Sequence, residues 1–169
     1  MRFLSGLIVF FLGFVAGAWV FHDVQPRTWL TVKNGKVHAS HAQLLGYMGS
    51  SIMRRAPGVI PGVVMETDRT VAMKYPVPGM DKDHYVIVPK RDIRDVAQLA
   101  KGDEASLVDA FAVIGKLARQ TKMDHYKVVT NSPAEQDVGY LHFHLIKVDP
   151  KERKFPFQPR KREDTTPND

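Results

Sequence analysis

The segment Tyr140-Leu141-His142-Phe143-His144-Leu145-Ile146 brings together the residue types best suited to chemistry in this chain. A strand period of two puts Tyr140, His142 and His144 on one face and Leu141, Phe143 and Leu145 on the other. Two imidazoles about 7 Å apart along such a face, each partly unprotonated near neutral pH, suit a nucleophile and its helper. The same pair suits half of a metal site, or an ordinary polar strand face, and the spacing leaves the three readings open. A metal would need a third ligand from a distant histidine such as His84 or His125, and no helper motif marks one. The chain has no cysteine, which excludes disulfides, zinc fingers and thiol catalysis.

The elements that must position this segment follow from hydrophobic periodicity. Ser40 is placed to cap a helix running through Leu44, Tyr47, Met48, Ile52 and Met53. Val63 to Glu66 and Thr70 to Met73 read as a hairpin around Thr67-Asp68-Arg69, and His84 to Val88 as a strand stopped by Pro89. Asp103 to Lys122 is the strongest helix, with Leu107, Phe111, Ile114 and Ala118 as its expected buried stripe. Tyr126 to Thr130 and Leu141 to Val148 complete about five strands with two principal helices and no βαβ alternation, so the expected class is α+β with an antiparallel sheet.

The 169 residues, 44% hydrophobic and 25% charged, suit one globular domain with appendages and exclude a collagen, a long coiled coil or a polytopic membrane protein. The uncharged run Phe3 to Phe21 is long enough to cross a bilayer. Residues 1–21 are therefore expected to be a transmembrane anchor, giving a single-pass membrane protein, or a signal peptide cleaved after Ala18. His22 to Ala39 reads as a linker, within a segment 22–62 that also holds the N-terminal helix. The net charge of +6 resides largely in Lys151 to Arg162. Residues 151–169 are expected to be a disordered basic tail suited to anionic headgroups, with no nucleic-acid motif beside the charges.

Residues 63–150 resemble the histidine triad (HIT) family. The resemblance rests on the order of the strand ending Val88-Pro89-Lys90, an amphipathic helix, a strand ending in Asn131, a polar loop with Gln136, and the alternating histidines. In the family motif of three alternating histidines, Tyr140 takes the first place, His142 the middle and His144 the last. Family members keep a glutamine before the nucleophile at the distance separating Gln136 from His142. The resemblance implies that His142 is the nucleophile and that His144 and Gln136 assist it. It also implies that Asn131, Asp137, Tyr140 and Asp92 occupy phosphate or nucleotide-binding positions. Asp92 stands where a histidine is common and Asp137 where a serine or threonine is common. At ~4 Å and an effective dielectric of about 20, each carboxylate would cost on the order of 4 kcal/mol beside a phosphate unless a cation intervenes or the group points away. Tyr75 occupies the place of a ribose-binding acid.

The activity implied is hydrolysis or transfer on a phosphoanhydride or phosphoramidate of a nucleotide, through a nucleotidyl-histidine at His142. Neither metal nor cofactor is implied, the partner is a nucleotide-type small molecule, and a homodimer through the helix and an adjoining strand is implied. A catalytically degenerate binding or scaffold module and a CDP-lipid pyrophosphatase are the alternatives.

Overall fold

The computed structural model describes residues 2–22, 24–75 and 83–149; the basic tail and the Pro76-Gly79 turn lie outside them. Helix α1 (Arg2–Phe21) contains the span Leu4–Phe21, whose mean hydropathy is 2.2 and none of which is buried. By length and composition it can cross a membrane. The linker expected over His22 to Ala39 is in part a hairpin of β1 (Leu30–Lys33) and β2 (Lys36–Ala39). Asn34 and Gly35 both take positive φ at its tip, the conformation that matches a tight turn to strand twist. Helix α2 (His41–Arg55) starts where expected, with the Ser40 hydroxyl accepting from the Gln43 N–H.

The main sheet contains β3 (Val63–Glu66), β4 (Thr70–Lys74), β5 (His84–Pro89), β6 (Tyr126–Val129) and β7 (Phe143–Lys147) in the antiparallel order β3-β4-β5-β7-β6. The register between β3 and β4 shifts at Val63/Met65, an irregularity on an edge strand. Helix α3 (Glu104–Gln120) covers one face. Ala72, Tyr85, Ile87, Phe143 and Leu145 point toward it and pack with Ala110, Val113, Ile114, Leu117 and Ala118. The buried stripe is rotated from the expected one, because Phe111 is half exposed with its ring beside Phe143, and Val113 and Leu117 are buried instead.

On the opposite face Val71, Met73, Val86, Val88 and Tyr140 form a smaller apolar cluster with Met53 of α2. Alternation in β5 and β7 therefore sends His84 and His144 to this second face. Helix α2 is fastened to the last turn of α1. Phe21 stacks on Tyr47 with centroids 4.6 Å apart, and Ser51 and Arg55 donate to the carbonyls of Val20 and Trp19. Strand β7 begins at Phe143, so His142 precedes it in an irregular stretch tied down by Leu141 N–H donating to Ile93 O at 2.8 Å.

Candidate active site

A cavity of about 580 Å³ opens on the second face and brings together Asn131, Gln136, Asp137, Tyr140, His142 and His144. Six of the seven site residues expected from the sequence thus share one cavity. The floor is apolar, built from Met53, Met73, Val86, Val88 and Ile146.

His142 sits with Nδ1 2.7 Å from the carbonyl oxygen of Tyr140. A carbonyl can only accept, so Nδ1 carries the proton and Nε2 holds the lone pair. Among the described residues Nε2 has no hydrogen-bond partner, which leaves the second ring nitrogen uncommitted in the cavity. His144 is different. Its Nδ1 lies 2.9 Å from Nε2 of His84, and its ring is 5.0 Å from that of His142, nearly perpendicular. Burial, then the neighbouring His142 and His84, push the His144 pKa down to about 4, so it is neutral at pH 7. It acts there as a hydrogen-bonding group rather than a cation.

His84, read from the sequence as a strand start, does begin β5 and also joins the site. The register pairs Val86 with His144, which sets His84 diagonally across from it, and Tyr75 stacks on the His84 ring at 4.2 Å. The signal that could have found it was parity with Val86 and Val88, but the partner strand's register is not written in the local sequence. Gln136 is buried, donating from Nε2 to the Asn131 carbonyl at 2.7 Å, while its Oε1 is buried without a partner among the described residues. Lys127, Glu135 and Asp137 also line the cavity.

One expected binding residue, Asp92, is corrected, and the part open to another, Tyr140, is narrowed to its ring. Asp92 does not line this cavity. Its carboxylate is buried and takes paired hydrogen bonds from Arg27 at 2.5 and 3.0 Å, plus the Gln25 N–H at 2.6 Å. It borders a separate polar cavity of about 550 Å³ with Arg54, Arg69, Lys90 and Arg91. The anticipated repulsion between Asp92 and a phosphate is removed because a cation intervenes; Asp137 remains at the cavity. Tyr140 lines the cavity but is no phosphate donor, since its hydroxyl donates to the carbonyls of Pro89 at 2.6 Å and, more weakly, Arg91 at 3.2 Å. Burial and the nearby Asp92 push its pKa up, so the phenol stays protonated. Among the described residues no group of three or more His, Cys, Asp or Glu side chains is arranged to hold a metal ion.

The fold recurs in known proteins. No curated protein matches the chain. Among solved structures, a HIT family hydrolase from Clostridium thermocellum is 26% identical over 63% of this chain and 94% of its own, with a TM-score of 0.53. A HIT family hydrolase from Legionella pneumophila Philadelphia 1 is 27% identical over 56% and 88%, with a TM-score of 0.50. A histidine triad protein from Clostridium difficile is 25% identical over 63% and 93%, with a TM-score of 0.51. The profile described as "Scavenger mRNA decapping enzyme C-term binding" matches residues 53–155, well over half of the chain. A HIT-like sheet, a histidine-lined cavity on its uncovered face and this match agree: the chain belongs to the scavenger mRNA decapping enzyme C-terminal family and is a histidine triad domain protein.

Proposed function

We propose that this protein hydrolyses a nucleotide-type phosphoramidate or phosphoanhydride through a covalent intermediate on His142. The observation that carries the reading is the His142 ring, with Nδ1–H held by the Tyr140 carbonyl and the bare Nε2 beside the cavity. The Nε2 lone pair forms a bond to phosphorus as the P–N or P–O bond to the leaving group breaks. The departing group keeps that electron pair and takes a proton from water in the open cavity. A second water then attacks phosphorus, the P–Nε2 electrons return to the imidazole, and the water's proton passes to solvent. Gln136 lines the same cavity as His142, and the bond from its Nε2 to the Asn131 carbonyl holds the loop that would surround the phosphate.

Tethering to a membrane by α1 is part of the proposal, because Phe10, Phe11, Phe14 and Val15 are all exposed and need an apolar surrounding. A lipid-linked nucleotide as substrate is favoured by one specific feature: Gly49 and Met53 of α2 line the cavity while Ser51 and Arg55 of the same helix grip the end of α1. The cavity wall is then about one helix diameter, ~10 Å, from the end of the anchor. We also assign the exposed α3 positions Val108, Phe111 and Ala112, at helical spacing, to pairing with a second copy.

The test uses the full chain in detergent with adenosine 5′-phosphoramidate, a dinucleoside polyphosphate and CDP-diacylglycerol. Rapid acid-free quenching and intact mass measurement are expected to show a nucleotidyl adduct that is acid-labile and absent in His142→Ala. No adduct and no turnover with any of the three would make the protein a binding module, the reading that the carboxylates of Glu135 and Asp137 at the cavity would then explain.

A further inference from the structure

We infer that Arg27, in the segment that follows the apolar helix and outside the family match, is a positioning residue that sets the tautomer and orientation of His142. The inference rests on His142 being the nucleophile.

The guanidinium is buried and uses every edge. Nη1 and Nη2 donate to the two oxygens of Asp92, Nη1 also reaches the Gln25 carbonyl at 3.2 Å, and Nε donates to the Gly139 carbonyl at 3.1 Å. One side chain thereby clamps two chain segments far apart in sequence, one at Asp92 and one at Gly139. The residues that follow these two points meet: Leu141 N–H donates to the Ile93 carbonyl. In a planar trans peptide the N–H and C=O point in opposite directions. With Leu141 N–H fixed on Ile93, the Tyr140 carbonyl of the same peptide plane must point the other way, toward His142 Nδ1. Arg27 thus holds both sides of the hydrogen bond that aims the acceptor of the His142 proton. Its charge also lies 6.0 Å from the Tyr140 ring centroid.

Neither partner would do this alone. A buried guanidinium without Asp92, or Asp92 without Arg27, leaves an uncompensated charge, whereas replacing both by apolar groups of similar size is often tolerated. Arg27→Met is expected to lose stability, and Arg27→Met/Asp92→Leu to regain it without restoring the donor to Gly139.

The experiment compares the full-length wild type with these two variants in detergent micelles. It reads the thermal midpoint, the His142 tautomer by long-range ¹⁵N NMR, and kcat and KM for adenosine 5′-phosphoramidate. Wild type is expected to hold its His142 proton on Nδ1. The double variant is expected to melt near the wild type yet show His142 as a mixture of tautomers, with kcat down on the order of 10- to 100-fold and KM nearly unchanged. A double variant with wild-type tautomer and wild-type kcat would reduce Arg27 to a structural ion pair and overturn the inference. If the double variant does not fold, Arg27→Lys carries the same comparison, because it keeps the charge but lacks the fork that reaches Asp92 and Gly139 together. Turnover absent in every protein, with an Arg27-dependent tautomer, would sink the hydrolase reading and leave Arg27 as the residue that orients the His142 ring without a catalytic consequence. Turnover that ignores Arg27 would do the reverse.

Discussion

Gly46 of α2 and Gly139 of the site loop meet backbone to backbone: a Cβ on Gly46 would lie 2.4 Å from the Gly139 carbonyl oxygen. The Gly139 N–H donates to the Ala42 carbonyl at 2.8 Å, so the helix and the loop share a seam with no room for a methyl group. Gly46→Ala is expected to force them apart, at a cost of about 1–3 kcal/mol. Urea unfolding of the full chain checks the magnitude. A variant as stable as wild type would show that the seam yields.

Acidification should destabilise the protein through His144. Its pKa is lowered from 6.5 to about 4 in the folded chain, so between these values the unfolded state binds the extra proton and the native state does not. The neutral-site contribution is complete above about pH 6.5 and is lost as pH falls through about 4. His144→Gln is expected to flatten the fall in unfolding midpoint between pH 7 and pH 4.5. Parallel curves for the two proteins would show that another group governs it.

Tyr140→Phe leaves the buried Pro89 carbonyl without its 2.6 Å donor. The expected loss is about 1–2 kcal/mol in denaturant unfolding. A phosphate-binding hydroxyl would instead announce itself as a raised KM with stability intact.

Phe111→Glu places a charge on the exposed apolar stripe of α3. Sedimentation is expected to show wild type as a pair of chains and the variant as a single chain. Wild type sedimenting as a monomer at micromolar concentration would remove the pairing proposal.

Much of this arrangement was legible in the sequence because period two and the HIT resemblance are both local statements. Leu141, Phe143 and Leu145 had to be buried once Tyr140, His142 and His144 faced the other way, and so they are. What escaped was everything that depends on distant partners. Asp92 looked like a phosphate neighbour because nothing in Pro89-Lys90-Arg91-Asp92 names an arginine near the start of the chain as its counter-ion. His84 looked like a bare strand start because its place beside His144 comes from the β5–β7 register. Phe111 looked buried because a helical stripe fixes a face only to within a turn, and the sheet selected the neighbouring one through Val113 and Leu117. The hairpin at Leu30 to Ala39 carried both its Asn-Gly signal and the apolar/polar alternation of Leu30, Val32, Val37 and Ala39 openly, and its strands are short and almost wholly exposed, so no core contact marks them.

The shifted register in β3 makes the two borders of the main sheet unequal. A bulged border twists away and resists further strands, whereas β6 pairs with β7 without a register shift and has no strand on its other side in the sheet. Any growth by strand addition would therefore favour the β6 border. A second copy adding at β6 about a twofold axis would leave only the two irregular β3 borders outward, a geometry that would limit strand addition to a pair rather than a fibre.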